Sequence, residues 1–141
     1  FLKELKKTGS KVKIYPGIDD VIIKLSKKFK IGIVSHNFRE SIQEILRRER
    51  ILECVASIVD IREEHIKPHP RPVLKCLEEL GVKPSEACMI GDRDDDVKAA
   101  KSAGLALTIG VLYSYSTKKN LNGADVFVKT PREILKVLDG A

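Results

Sequence analysis

The sequence predicts an α/β fold, in which a mostly parallel sheet is flanked by helices. Short apolar runs typical of buried strands alternate along the chain with amphipathic stretches at helical spacing. Glycine or proline stands at several of the boundaries between them. A chain of 141 residues is long enough to form one domain with a core of its own.

The first residues are predicted to lie outside the α/β unit. Phe1, Leu2 and Leu5 recur at helical spacing, so residues 1–7 are predicted to be a helix that stops near Gly9. A connector follows and ends at the strong break Pro16-Gly17. We therefore expect residues 1–14 to be the end of a separate helix with its connector, and residues 15–141 to be the core domain.

The α/β unit is predicted to begin with a helix at 18–29, whose apolar face carries Ile18, Val21, Ile22 and Leu25. The remaining predicted elements are a strand at 31–34, a helix at 38–48, strands at 57–59 and 87–90, a helix starting at Pro72, a helix at 97–103, strands at 105–109 and 125–128, and a last helix from Pro131 to about Leu138.

Several boundaries of these elements have a physical reason in the sequence. Gly81 and Gly104 are placed to stop two of the helices. Thr130 followed by Pro131 is the expected start of the last helix, with Thr130 as N-cap. In the helix at 38–48 the apolar positions predict a buried face that includes Phe38.

Composition limits the classes of partner. The chain carries 26 Lys and Arg against 20 Asp and Glu, a formal charge of +6, but the basic residues are dispersed and aromatic residues make up only 5%. Nucleic acid is therefore not an expected partner. No apolar run is long enough to span a membrane, so no membrane partner is expected either.

The three cysteines, Cys54, Cys76 and Cys88, are odd in number and far apart in the sequence. This pattern predicts reduced core thiols, and it indicates neither a disulfide framework nor a zinc site. It also favours a cytoplasmic location.

An acid cluster follows one of the predicted strands. After residues 87–90 and Gly91, the chain places Asp92, Asp94, Asp95 and Asp96 within five residues. Carboxylates at the end of a buried strand are hard oxygen ligands suited to Mg²⁺ or Ca²⁺. The alternative is a solvated acidic turn that caps the N-terminus of the next helix.

Two further polar groups follow strands of the same predicted sheet. Ser35 comes after the strand at 31–34, and Lys67 lies in the loop after the strand at 57–59. Because parallel strands end at one edge of a sheet, we expect Ser35, Lys67 and Asp92 to converge. A hydroxyl, an ammonium and a cation held by carboxylates would suit a phosphate group. Taken alone, Ser35 could instead be a helix N-cap, and Lys67 a surface lysine.

The three histidines are interpreted as incidental. His65 and His69 are four residues apart, but the prolines around them exclude a helix, so they cannot form a helical metal-binding pair. His36 stands next to Ser35 and could touch a substrate.

Three segments, in this order and each after a strand, resemble the motifs of the haloacid dehalogenase (HAD) superfamily, in particular its phosphoglycolate-phosphatase-like branch. Residues 31–37 (IGIVSHN) resemble the second motif, 67–70 (KPHP) the third, and 91–96 (GDRDDD) the fourth. Residues 15–17 (YPG) resemble the family's entry from its cap into its core, and 1–14 the end of the cap. The similarity covers roughly 15–138.

The resemblance implies a Rossmann-like core and a Mg²⁺-dependent phosphatase of small phosphomonoesters, acting through an aspartyl-phosphate. It implies Lys67 and Ser35 as catalytic residues, Ser35, His36, Asn37 and Lys67 as phosphate-binding residues, and Asp92 and Asp96 as the metal acids.

The family's first motif, DxDGT, has no counterpart among these residues. In the family this motif supplies the nucleophilic aspartate, and its strand lies between those that end at Ser35 and Asp92. Without it two strand edges are unpaired in the core. We therefore expect the chain alone to be inactive, and a missing N-terminal segment or a second chain to complete the sheet. The alternative is a HAD-like pseudoenzyme, or a module that binds a phosphorylated ligand without cleaving it.

Overall fold

The computed structural model describes residues 5–8, 11–112, 118 and 120–139, with side chains from residue 15 onward. The strands are β1 (Leu5–Thr8), β2 (Lys11–Ile14), β3 (Gly32–Val34), β4 (Ser57–Val59), β5 (Cys88–Gly91), β6 (Leu107–Val111) and β7 (Val126–Val128). The helices are α1 (Ile18–Ser26), α2 (Arg39–Arg48), α3 (Arg71–Leu80), α4 (Asp94–Ala103) and α5 (Pro131–Leu138), with short 3₁₀ turns at Leu52–Cys54 and Pro84–Glu86.

The predicted α/β class is confirmed, and its central sheet is divided. β3 pairs with β4 in parallel, and β5, β6 and β7 form a second parallel group in that order. Among the described residues no strand joins β3 to β5. We call β3–β4 the first half-sheet and β5–β6–β7 the second half-sheet.

Both half-sheets contribute to one layered core. A buried cluster combines Ile33 and Ile58 of the first half-sheet with Ile90 and Ile109 of the second, and side chains of α1, α2 and α5 cover it. On the opposite faces, α3 and α4 bury a second cluster around Met89. The helices therefore cover the strands on both faces, which explains why the strands read as continuous apolar runs.

A cavity of about 530 Å³ lies between the two half-sheets. Its walls include Gly32 and Val34 of β3, Cys88 and Ile90 of β5, and side chains of α3. We call this space the inter-sheet cavity. The open edges of β3 and β5 therefore face a largely apolar space.

The helix boundaries follow the sequence signals. Gly81 and Gly104 end α3 and α4 with positive φ angles of 70° and 79°, a backbone conformation that glycine adopts without strain. Thr130 is the N-cap residue of α5 and Pro131 its first residue, as predicted, although the Thr130 side chain makes no capping hydrogen bond to the backbone.

The helix predicted over residues 1–7 is wrong where it can be compared. Leu5–Thr8 is a strand that pairs antiparallel with Lys11–Ile14, whereas residues 1–4, 9 and 10 lie outside the described residues. The connector prediction missed β2, in which Val12 and Ile14 alternate with lysines as a strand requires. A Gly-Ser pair just before an alternating run is a hairpin signal that the helical interpretation passed over.

Three smaller predictions are also corrected. Phe38 is 52% exposed, because α2 begins at Arg39 and Phe38 precedes the buried face. Helix α4 begins at Asp94 rather than at residue 97, since acidic residues are favourable in the first turn of a helix. β6 runs from Leu107 to Val111, two residues later in the chain than the strand predicted at 105–109.

In the described part of the chain, no helix has the length and apolar character needed to cross a membrane. The cysteines Cys54, Cys76 and Cys88 are free thiols, as predicted. Burial, with a smaller contribution from Asp125, raises the pKa of the Cys88 thiol to about 12. A thiol with this pKa is protonated at neutral pH and unreactive.

Candidate active site

Ser35 lies directly after β3 and is 3% exposed. Its N–H donates to the Val59 carbonyl (3.0 Å), which continues the ladder between β3 and β4. Its Oγ accepts a hydrogen bond from the Asn37 N–H (3.1 Å). Because the N-cap of α2 is Phe38, the alternative of Ser35 as helix N-cap is wrong.

Lys67 reaches from the loop between β4 and α3 to the ends of both half-sheets. Its Nζ donates to the Val34 carbonyl at the end of β3 (3.2 Å) and forms an ion pair with Oδ1 of Asp96 in the first turn of α4. The side chains of Lys67 and Asp96 are only 2% and 1% exposed. The surface-lysine alternative is therefore wrong, and Lys67 links the two half-sheets at their carboxyl edge.

The acid cluster divides into buried and outward-facing members. Asp92 and Asp96 are buried, whereas Asp94 is exposed and pairs with Lys98 at 2.8 Å. Asp95 is only partly buried. A solvated turn thus accounts for Asp94 but not for Asp92 or Asp96.

A close contact at the end of β5 fixes the position of Asp96. A Cβ atom on Gly91 would lie 2.4 Å from Cβ and 2.5 Å from Oδ2 of Asp96, so only glycine fits there. Oδ2 of Asp96 also accepts the Arg93 N–H (3.2 Å), which satisfies a donor at the start of α4. The glycine allows α4 to approach the strand closely enough for Asp96 to reach Lys67.

The charges of this group are compatible with a metal ion. Lys67 and Asp96 form a buried ion pair, and Asp92, directly after β5, is a second buried carboxylate. The described residues contain no group of three or more His, Cys, Asp or Glu side chains able to hold a metal. Two carboxylates suit Mg²⁺, which usually takes one or two and completes its shell with water and substrate oxygens.

His36 and Asn37 follow Ser35 in the same loop, His36 half-buried and Asn37 exposed. His65 and His69 lie in the Lys67 loop outside any helix, as predicted, and their rings stack with centroids 4.1 Å apart. His69 Nδ1 accepts the Arg71 N–H (3.0 Å). His65 and His69 thus have a contact that the sequence did not indicate.

Asp60 is a further residue of this edge whose contacts were not foreseen from the sequence. Its carboxylate accepts the N–H groups of Arg39 (2.9 Å) and Arg62 (3.1 Å), and Nη1 of Arg62 (2.8 Å). Burial alone would raise the pKa of Asp60, but these hydrogen bonds and the guanidinium charges outweigh it and lower the pKa. Its position directly after a strand, like those of Ser35 and Asp92, was the available signal.

Comparison with known proteins places this chain, including the residues at the carboxyl ends of its parallel strands, in a family. The family model for haloacid dehalogenase-like hydrolases matches residues 1–110. The chain is 35% identical over 114 residues to pyrophosphatase PpaX of Anoxybacillus flavithermus. The aligned region covers 78% of this chain and 52% of that protein.

Two solved structures extend this similarity. A Thermotoga maritima structure, provisionally assigned as a beta-phosphoglucomutase, has a TM-score of 0.82 at 32% identity and covers 93% of this chain and 62% of that one. A HAD phosphatase from Thermococcus onnurineus has a TM-score of 0.79 at 29% identity, covering 92% and 60%.

The chain spans about half the length of the curated relatives it matches. The matched model covers most of its residues and includes the segments around Ser35, Lys67 and Asp92. This protein chain belongs to the haloacid dehalogenase-like hydrolase family.

Proposed function

We propose that this chain provides the phosphate-binding and metal-binding side of a Mg²⁺-dependent phosphatase that acts on small phosphorylated substrates. The observation that carries the proposal is the buried Lys67–Asp96 pair at the junction of the two half-sheets. Burial of two such charges is costly, and such pairs are often retained at functional sites rather than for stability.

Each residue of this group has a proposed role. The Ser35 hydroxyl, whose oxygen accepts from the Asn37 N–H, donates its hydrogen to a phosphate oxygen. Lys67 offsets the charge of the phosphate, while Asp96 holds its ammonium in place. His36 and Asn37 line the same loop and complete the phosphate-binding set.

Asp92 and Asp96 are proposed to hold the metal. Asp92 follows β5 directly, and both carboxylates are buried. Bound Mg²⁺ would offset negative charge on the phosphate oxygens as the phosphoryl group is transferred.

The nucleophile is proposed to come from a further strand in the inter-sheet cavity. That cavity lies between the open edges of β3 and β5 and is mostly apolar. An apolar strand parallel to both would satisfy backbone groups on either side. A carboxylate at its carboxyl end would reach the edge where Lys67 lies. The family resemblance supports an aspartate in this position.

The proposed reaction has two steps. A carboxylate oxygen attacks phosphorus, and the bond from phosphorus to the leaving oxygen breaks, its electron pair passing to that oxygen, which takes up a proton. Water then attacks the acyl phosphate, which releases inorganic phosphate and restores the carboxylate. Since one relative is named a pyrophosphatase, pyrophosphate belongs in the tests beside phosphomonoesters.

The test compares the protein encoded by the complete gene with a homogeneous sample of the 141 residues alone. Hydrolysis of p-nitrophenyl phosphate, phosphoglycolate and pyrophosphate is measured with Mg²⁺ and with EDTA. We expect Mg²⁺-dependent turnover in the first sample and none in the second, and turnover by the 141 residues alone would contradict the proposed source of the nucleophile.

Lys67→Met and Ser35→Ala should abolish or strongly reduce activity, whereas Lys98→Met, which removes an exposed ammonium from α4, is the matched control. If the complete protein binds phosphate without hydrolysis, the pseudoenzyme alternative is favoured. A mass above 15.8 kDa for the purified protein would show residues beyond these 141, whose sequence could then be searched for the proposed strand. The cytoplasmic location predicted from the thiols stays a prediction.

A further inference from the structure

Asp60 ties together the two loops that carry the proposed phosphate-binding groups. It stands at the carboxyl end of β4, and its side chain is 9% exposed. It accepts the Arg39 N–H (2.9 Å) at the start of α2 and the Arg62 N–H (3.1 Å) in the Lys67 loop. One carboxylate therefore bonds the first residue of α2 to the first turn of the Lys67 loop.

Other contacts reinforce the same connection. The Ile61 N–H donates to the Asn37 carbonyl (3.2 Å), so the backbone next to Asp60 also holds Asn37 in the loop that follows Ser35. The Arg62 guanidinium bridges Asp60 (2.8 Å) and Glu40 on α2 (3.0 Å). Arg39 donates from its own guanidinium to the Ile58 carbonyl in β4. Apart from the Arg62–Asp60 contact, these bonds join residues 37–40 to the segment 58–62.

The loop that Asp60 fixes is the one between β3 and α2. Ser35 is anchored at one end by β3, and Arg39 is anchored at the other end by Asp60. His36 and Asn37 lie between these two anchors. Loss of the Asp60 bond would therefore loosen the loop at its α2 end while β3 still holds Ser35.

We propose that Asp60 is a positioning residue that sets the geometry of the phosphate-binding loop 35–37, a role that rests on the proposed phosphatase function. It does not touch the substrate itself. It acts by fixing the backbone of the loop, and this keeps the Asn37 N–H in position to donate to Oγ of Ser35. A displacement of about 1 Å at a reacting centre can reduce rates by about a hundredfold.

The metal-binding acids belong to the other half-sheet. Asp92 follows β5 and Asp96 lies in α4, whereas the contacts of Asp60 are to α2 and its own loop. A defect that originates at Asp60 should therefore change phosphate binding and leave the Mg²⁺ requirement as it is. A general loss of folding would change both.

The test uses Asp60→Asn in the protein encoded by the complete gene. The two backbone N–H groups bond to different oxygens of Asp60, and the amide keeps only one acceptor oxygen, so one anchor is lost. We expect kcat/KM to fall about 10- to 100-fold. KM and the inhibition constant for inorganic phosphate should rise together, and the Mg²⁺ concentration at half-maximal rate should stay unchanged.

Asp125→Asn is the matched control. Asp125 also accepts a backbone N–H, from Thr108 (2.8 Å), and pairs with a cation, Lys101 (2.8 Å), but it precedes β7, away from this edge. It should lower the melting temperature about as much as Asp60→Asn and leave the kinetics unchanged. Arg62→Met, which keeps the backbone N–H bond to Asp60, should retain most of the activity.

The outcomes separate this inference from the proposed function. If the wild-type protein hydrolyses phosphate esters and Asp60→Asn has wild-type KM and phosphate inhibition, the positioning role is refuted while the proposed function stands. If Asp60→Asn shifts the Mg²⁺ requirement as much as KM, its effect is a general one and the role is again refuted. If the wild-type protein neither hydrolyses nor binds phosphate, the proposed function fails and the role of Asp60 falls with it.

Discussion

Replacement of Lys67 by methionine is the most informative single perturbation of this site. Methionine keeps most of the apolar stem but removes the ammonium that pairs with Asp96. The two side chains are 2% and 1% exposed, so the carboxylate left behind has almost no access to solvent. Removing one partner of a buried ion pair typically costs about 3–5 kcal/mol, because the other charge stays buried and uncompensated.

For a chain of this size such a loss corresponds to a fall of about 10–15 °C in melting temperature. Asp96→Asn alone should also destabilise the protein, because the Lys67 ammonium loses its partner. In the double variant neither charge is left unpaired, so the destabilisation should be smaller than the sum of the single effects by about 1–3 kcal/mol.

The measurement is a double-mutant cycle by urea unfolding, followed by circular dichroism, at low and at high salt. Lys98→Met is the matched control, because Lys98 lies on the same helix and pairs with Asp94 at an exposed position. It should leave the unfolding midpoint nearly unchanged. Additivity of the two single variants within about 0.5 kcal/mol would refute the coupling inferred from the structure.

Three further predictions follow from particular contacts. Gly91→Ala should force Asp96 away from β5 and cost about 1–3 kcal/mol, measured by urea unfolding, with loss of the proposed phosphatase activity. The stabilisation from the lowered pKa of Asp60 should be fully present above about pH 4 and be lost as the pH falls below it, so Asp60→Asn should flatten the acid side of a melting-temperature profile between pH 3 and 7. Cys88, with its pKa raised to about 12, should react slowly with a thiol reagent at pH 8 in the folded protein. In urea it should react as fast as an exposed cysteine, and equal rates in the folded and the unfolded protein would contradict its burial.

Much of the fold could be predicted because its signals are local. The strands at 31–34, 57–59 and 87–90 are continuous apolar runs, which is what burial on both faces requires, and each was found within about two residues. The glycine that ends a helix and the Thr-Pro pair that starts one act through their own backbone preferences. Such signals do not depend on distant parts of the chain.

The errors have a different origin. The helix predicted for 1–7 rested on the spacing of three apolar residues, too few to distinguish a period of 3.6 from one of 2. Phe38 was predicted to be buried from its apolar character, whereas it precedes α2 and is contacted by the Arg62 guanidinium at 4.9 Å from the ring centroid. That contact comes from a loop 24 residues away and leaves no local trace.

The candidate site shows the same division. Convergence of Ser35, Lys67 and Asp92 on one edge could be expected from parallel strands alone. The ion pair between Lys67 and Asp96 could not be expected from the sequence. Asp96 reaches Lys67 only because Gly91 lets α4 approach β5 closely. The bonds of Asp60 were likewise hidden, because two of the three hydrogen bonds that it accepts come from backbone N–H groups, which every residue but proline carries.

The divided sheet also bears on how this chain behaves in concentrated solution. An open parallel edge accepts any apolar strand with free N–H and C=O groups, and the inter-sheet cavity presents two such edges side by side. The same geometry that would admit the proposed strand therefore offers a template for strands of other molecules. Solubility and resistance to aggregation should rise together when the cavity is filled, so the yield of soluble protein becomes a simple reporter of whether the sheet is complete.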